Sequence, residues 1–321
     1  MTVSLPFDEH VPLRSFSHYF AYLGILQGQG VNVNYFLFNH FITLNYCSLD
    51  GFISFWEERK LYRLFDRKKF FFDLPDPVSF AKEQLRNKKY VLIDLNHQYV
   101  SASAQTECFV HEFLLYGYDD DTQCFSAIGY VSDDSLTCFS LRNFQLPFSE
   151  VAQGYATTGL KKKRIHKNYV ISVKKTPAQK LNVPKLRLDV FIYRHFPQLR
   201  LAVWFLNQNA FSAARKTILR HQTNKIYSLD LRFLKTLEGR ALILLSLAQV
   251  LSAPPETTEK CEKLRKLFSA ALRYGALSNA RSGRPERYYV KVLTTLADNL
   301  EEAKRLEKSI FDDFNKCLKG M

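Results

Sequence analysis

The sequence predicts an α+β protein in which a helix leads into an antiparallel sheet and a basic, all-helical region follows. Three observations predict it. Between Tyr90 and Leu141, short apolar runs alternate with tight polar turns. After Lys161 the apolar residues fall instead at spacings of three and four. Charge divides at the same place: residues 1–160 hold 12 Lys and Arg against 18 Asp and Glu, and residues 161–321 hold 33 against 13. Opposite signs in the two halves point to two regions with different tasks, the second meeting something acidic. The expected domains are 1–176, carrying the sheet, and 177–321, carrying the basic helices.

Taken in order, Phe16 to Leu26 is a short, mostly apolar run closed by Gln27-Gly28-Gln29-Gly30, which fits a buried helix better than a strand. Tyr35 to Tyr46 and Phe52 to Phe65 are aromatic-rich and ambiguous, with a helical option around Trp56. Asp76 before Pro77 predicts a capped helix running to about Arg86. Val91 to Leu95, Phe109 to Tyr118, Cys124 to Tyr130, Thr137 to Leu141 and Asn168 to Val173 read as strands. The later ones are joined by short turns and are therefore mostly antiparallel. Lys161-Lys162-Lys163-Arg164 and the region Lys174 to Lys185 read as exposed connection. Leu201 to Leu219, Leu231 to Leu251, Glu256 to Tyr274 and Arg284 to Leu318 read as helices. In the last, Leu293, Leu296, Leu300, Ala303, Leu306, Ile310 and Phe314 form one apolar face.

Composition narrows the class. With 46% hydrophobic and 14% aromatic residues the chain can bury a large core, which excludes global disorder. The N-terminus carries acids early and lacks an apolar core, so no secretory signal is expected. The longest apolar run, Ala241 to Leu251, is about half the ~20 residues a membrane span needs, and a cytoplasmic protein is expected. Cys47, Cys108, Cys124, Cys138, Cys261 and Cys317 are scattered without metal-ligand spacing, so neither a disulfide framework nor a metal site is expected, and no cofactor.

One segment carries chemistry. His111 sits in an apolar strand that ends in the acidic turn Gly117-Tyr118-Asp119-Asp120-Asp121 and is followed by another apolar strand. His111, Tyr116, Gly117, Tyr118, Asp119 and Asp120, with the preceding strand Val91-Leu92-Ile93-Asp94, resemble the family of the butirosin biosynthesis protein H N-terminal domain, a C39-peptidase-like branch of the papain-like fold. The strong part of this resemblance covers roughly residues 88–155. It implies an acyl transferase of natural-product assembly that takes an acyl group from an acidic acyl- or peptidyl-carrier protein and passes it to an amine.

The resemblance also assigns roles. The family's nucleophilic cysteine aligns with Ser17, with Ser15 as second choice; His111 is the base. The third member, which orients the base, falls near Gly129, with Asp133 or Asp134 as substitutes if a bulge shifts the strand. The chemistry explains the pattern. A histidine suits proton transfer near neutral pH, and a helix N-terminus supplies N–H donors and dipole to a nucleophile and an oxyanion. A serine hydroxyl is a poorer nucleophile than a thiol and depends on a well-oriented base.

Two functional classes therefore stand: acyl transfer through Ser17 and His111, or a catalytically silent binding protein holding an acidic partner on its basic helices. Cys47, in a turn-like context, reads as a structural thiol rather than a replacement nucleophile. The turn Asp119-Asp120-Asp121 reads as a solvated hairpin rather than a cation site. His10 and His18, flanking the nucleophile region, read as surface or capping residues. Lys161 to Arg164 and Arg281 to Arg287 offer charge for nucleic acid, but no nucleic-acid-binding motif accompanies them.

Overall fold

The computed structural model describes residues 1–14, 17–47, 53–55, 57–70, 74–103, 108–132, 139–158, 168–195, 200–201, 204–206, 208–223, 232–279 and 286–321. In chain order the elements open with β1 (Thr2–Ser4), α1 (Ser17–Gly28), α2 (Val33–His40), β2 (Leu44–Cys47), β3 (Ile53–Phe55) and α3 (Arg59–Tyr62). There follow β4 (Phe65–Phe70), α4 (Pro77–Arg86), β5 (Tyr90–Asn96), a 3-10 turn (His97–Tyr99), β6 (Val110–Asp119), β7 (Cys124–Ser132) and β8 (Phe139–Pro147). Then come α5 (Phe148–Ala156), β9 (Asn168–Val173), α6 (Val183–His195), β10 (Arg200–Leu201) and β11 (Trp204–Leu206). The chain closes with α7 (Gln208–Thr223), α8 (Arg232–Val250), α9 (Pro255–Asn279) and α10 (Glu286–Lys319). This is an α+β architecture with antiparallel sheets.

The chain forms two compact units. The first comprises Met1–Val11, Ser17–Val31 and Leu61–Thr176; the second comprises Pro12–Phe16, Asn32–Lys60 and Pro177–Met321. The aromatic stretch after Asn32 thus folds with the later helices. Its Asn39 shows why: Nδ2 donates to the Lys180 carbonyl at 3.0 Å, and Oδ1 accepts from the Asn182 N–H at 2.8 Å.

In the first unit a seven-stranded sheet runs β4-β9-β5-β6-β7-β8, with β1 added against the end of β6. β5 is buried along its whole length, as a central strand covered on both faces must be. The register slips between Leu115 and Gly117, and a Cβ at Gly117 would lie 2.8 Å from the Val3 carbonyl oxygen. Glycine there lets β1 approach. α1 is buried from Tyr19 to Leu26, as its all-round apolar composition requires. α4 starts where Asp76 accepts from the Ser79 N–H at 2.9 Å, an N-cap with proline at the first helical position. β4 forms one edge of the sheet, with Asp66, Arg67, Lys68 and Lys69 exposed along it.

The second unit holds a four-stranded antiparallel sheet, β10-β11-β2-β3, and the helices α6 to α10. Leu201 and Trp204 to Leu206, expected to begin a helix, instead lie in β10 and β11, where Trp204 pairs with Cys47 of β2; α7 starts at Gln208. That apolar run is rich in residues that favour a pleated surface, and tertiary pairing decides between the two. α5 and α6 have no counterpart in the sequence reading. In α10 the expected stripe is buried at Leu293, Leu296, Leu300, Ala303, Ile310 and Phe314.

A buried ion pair lies in this helical core. The Arg240 guanidinium meets the Glu307 carboxylate, both 1% exposed. Nε and Nη2 of Arg240 donate to the Ile42 carbonyl at 3.0 and 2.7 Å. The Tyr193 hydroxyl donates to Glu307 Oε2 at 2.8 Å, and its ring stacks on Phe311 at 3.9 Å. A second cluster joins α2 to α6: Lys185 Nζ lies 2.7 Å from both Glu57 and Asp189, and His40 Nδ1 lies 3.1 Å from Glu57. Burial alone would raise the Glu57 carboxyl, but the hydrogen bonds from His40 and Lys185 outweigh it and hold the group down to about 2. No helix among the described residues is long and apolar enough to cross a membrane.

Candidate functional site

β5 and β6 build the site. Their register sets Leu95 opposite His111 and Asp94 opposite Glu112. Because side chains alternate across a strand, the imidazole and the carboxylates leave β6 and β5 on different faces. The His111 ring is half-buried. It stacks on Phe109 at 5.8 Å, and Tyr130 stands edge-on to it at 6.0 Å. Tyr130 in turn meets Phe20, in the first turn of α1, edge-on at 5.8 Å. Tyr130 follows Gly129, which faces Phe113 on the His111 side, so its ring belongs with α1 to the Glu112 side and stands between the His111 imidazole and the helix that Ser17 opens. The Ser17 side chain, Ser15, Asp133 and Asp134 lie outside the described residues, as do the His18 side chain, Lys161 to Arg164 and residues 280–285.

Gly129, where the resemblance places the orienting residue, sits directly opposite Phe113. A Cβ at 129 would fall inside the Phe113 ring's van der Waals surface. That ring is fully buried and is braced by His97 at 4.8 Å and Phe144 at 6.0 Å, so it has nowhere to move. The position that would hold an imidazole in the family is here given to packing.

A second imidazole stands beside the first. His97, in the 3-10 turn after β5, is completely buried and lies 6.2 Å, ring to ring, from His111. Its N–H donates to the Phe109 carbonyl at 2.7 Å, and its Nδ1 lies 3.1 Å from Ser103 Oγ, itself buried. Asn96 Oδ1 caps the turn by accepting from the Gln98 N–H at 3.2 Å, and Asn96 Nδ2 donates to Thr157 Oγ1 at 3.3 Å. Burial, and then the neighbouring His111 charge, hold the His97 imidazole down to about 3. At neutral pH it is uncharged and a poor base. Ser103 and His97 therefore have hydrogen-bond reach without the basicity that activates a hydroxyl.

The opposite face carries Asp94, 1% exposed, whose N–H donates to Asn168 Oδ1 at 2.6 Å. Near Glu112 lies Tyr22 of α1, whose hydroxyl burial pushes up to about 12 although a hydrogen bond with Arg67 opposes the shift. Arg67 itself lies over the Tyr62 ring at 4.4 Å and the Tyr169 ring at 5.4 Å.

The acidic turn is occupied by structure. Asp120 pairs with Lys82 and lies 3.7 Å from the N-terminal amine. Asp119 Oδ1 accepts from Thr2 Oγ1 and from the Asp121 N–H, each at 3.1 Å. No cluster of metal-ligating side chains occurs among the described residues. Cys108, Cys124, Cys261 and Cys317 are free thiols, and burial pushes Cys261 up to about 12. The His10 N–H donates to Asp8 Oδ1 at 2.8 Å, a local turn bond.

Sequence reasoning missed His97, Ser103 and Tyr130. The signal for His97 was present: the polar run Asn96-His97-Gln98 directly after a fully apolar strand places its side chains at a strand end, where sites gather. Tyr130 gave none, since one aromatic among many in a strand reads as core. The fold is that of an α+β protein whose antiparallel sheet carries a half-buried histidine, His111. The chain matches no protein-family model and no curated protein.

Proposed function

We propose that the first unit is a papain-like acyl-transfer domain in which Ser17 is the nucleophile, His111 the base, and the acyl donor a thioester on an acidic carrier protein. One observation carries this reading: His111 lies one ring, Tyr130, from the first turn of α1, the helix that Ser17 opens. In this reading the Ser17 hydroxyl comes within hydrogen-bond reach of His111 around the Tyr130 ring, and His111 takes its proton as the oxygen attacks the thioester carbonyl. The α1 N-terminus, with its N–H groups not used within the helix, stabilises the oxyanion. Collapse breaks the C–S bond and forms a serine ester, and the proton on His111 goes to the departing thiolate. An amine acceptor then attacks the ester, His111 takes the amine proton, and the Ser17 alkoxide leaves and regains that proton.

The test is intact-protein mass after exposure to a small acyl thioester. The expected result is one acyl group on the wild type and none on Ser17→Ala, with slow labelling of His111→Ala. Equal labelling of all three sinks the reading.

A second reading has its own observation. The Phe113 ring fills the space where Gly129 would need a side chain to orient His111. It supports a silent relative of the acyl-transfer fold that keeps the pocket and binds an acidic partner through its basic helices. Such a chain shows no labelling in the same experiment yet still binds a carrier protein.

A further inference from the structure

α6 is apolar on two sides. Its inner side seats Leu186, Val190 and Tyr193, all at or below 1% exposure. Its outer side presents Leu188 at 56% and Phe191 at 49% exposure, among the most exposed large apolar side chains described. Pro184, Leu188, Phe191 and His195 follow one another at spacings of four, three and four, so they form one stripe along the helix. The inner stripe suffices to hold α6, since Tyr193 is stacked on Phe311 and bonded to Glu307. On the outer side the Phe191 ring meets the His195 ring at 4.4 Å, yet Leu188 and Phe191 each stay about half exposed.

The rim of the stripe is basic and fixed in place. Arg187 Nε and Nη2 donate to the Leu318 carbonyl at 3.1 and 2.8 Å, which brings the last turn of α10 alongside α6. Arg194 Nε donates to Asp312 at 2.7 Å, one helix turn before Lys316. Lys316, 77% exposed, and exposed Lys319 continue the row. Along this strip lie Arg187, Arg194, Lys316 and Lys319; Asp312 pairs with Arg194 and Asp313 lies 3.2 Å from Lys316, so the described cations outnumber the carboxylates among them four to two.

We infer that the outer face of α6, with the last turn of α10, docks an acidic amphipathic helix of a protein partner. An apolar side chain of the partner covers Leu188 and Phe191, and its carboxylates meet the basic rim. Charge complementarity selects this occupant: an apolar centre within a cationic rim suits a helix with Glu or Asp flanking Leu or Met. A lipid surface fits less well, because helices that lie in a membrane interface need a broad apolar face and α6 offers two side chains. The inference rests on the acidic-partner part of the proposed function and assigns it a surface.

The experiment titrates the intact chain with a synthetic helical peptide carrying Leu on one face and Glu on its flanks, read by fluorescence anisotropy. Binding is expected, weakening with added salt. Phe191→Asp and Lys316→Glu/Lys319→Glu should each weaken it about tenfold or more, equivalent to ~1.4 kcal/mol. All three positions are exposed, and an unchanged thermal melt confirms that these variants fold. A peptide with Lys in place of Glu should bind at least about tenfold less well.

The inference is overturned if no peptide binds, if Phe191→Asp binds as tightly as wild type, or if the Lys peptide binds equally. It is also overturned if sedimentation shows a wild-type dimer that Phe191→Asp dissolves, which gives the face to a second copy. Binding of anionic phosphatidylserine vesicles that Phe191→Asp abolishes, without peptide binding, gives it to lipid. Failure here is separate from failure of the acyl-transfer reading. Phe191→Asp should still be acylated by a small thioester, and Ser17→Ala should still bind the peptide.

Discussion

The two units bury polar groups in opposite ways. The sheet unit keeps a fully buried imidazole uncharged: His97, sealed by Phe109 and Phe113, is held neutral far below the usual imidazole range. The helical unit keeps charge and matches it. Burial draws the Arg240 guanidinium down to about 10, still charged at neutral pH; Glu307 pairs with it, and the Tyr193 hydroxyl and the Ile42 carbonyl flank the pair. The difference follows from what each core can supply. A sheet interior presents apolar side chains and backbone already committed to its ladder, so a polar group there fares best neutral. Helices in a bundle bring long side chains from separate turns to one point, and helix or loop ends leave carbonyls free to accept.

The sharpest way to break this contrast lies in the helical unit. Arg240→Met should cost ~3–5 kcal/mol, because it strands the Glu307 carboxylate in the core. Arg240→Met with Glu307→Leu should recover most of that loss. Urea unfolding of the three proteins decides it, and if the double variant is no better than the single one, charge matching is not what matters there.

The sheet unit should respond to acid instead. The unfolded chain takes up a proton on His97 near pH 6.5, while the fold refuses it down to about 3. Its stabilising contribution is therefore complete above about pH 6.5 and is lost as pH falls, at up to ~1.4 kcal/mol per unit. His97→Phe with Ser103→Ala should flatten that slope between about pH 6.5 and 4.5, by as much as ~3 kcal/mol. A slope unchanged in the variant would assign acid sensitivity to other groups.

Gly129→Ala should destabilise by roughly 1–3 kcal/mol through overlap with the Phe113 ring. Adding Phe113→Leu should return part of it, which differential scanning would register as a partial rise in Tm. The smallest effect expected is Asp76→Ala, which removes the α4 cap for about 1 kcal/mol, restored by Asp76→Asn.

These cases also mark what sequence could and could not reveal. The strands around His111, the α4 cap at Asp76 and the long stripe of α10 were legible because each is a local pattern: period two, a cap followed by proline, spacings of three and four. The fate of residues 32–60 was not. Asn39 finds its partners at Lys180 and Asn182, far along the chain, and no local signal specifies such a bond. Leu201 to Leu206 misled for the same reason, since a short apolar run fits helix or strand until its neighbours decide. For the site, His111 could be singled out from its strand and turn. Its second neighbour His97, the filled space at Gly129 and the bridging Tyr130 depend on which side chains share a face, which a linear pattern leaves open.

β4 ends the ladder, and an end strand offers unpaired N–H and C=O groups to any other extended chain. Here that margin carries Arg67, Lys68 and Lys69 in sequence, all exposed. A second copy arriving edge to edge would set lysine against lysine, so growth of the ladder into fibres is opposed at its first step. Neutralising Lys68 and Lys69 with glutamine should lower the concentration at which the protein stays clear, and raising salt should do the same to the wild type by screening that repulsion.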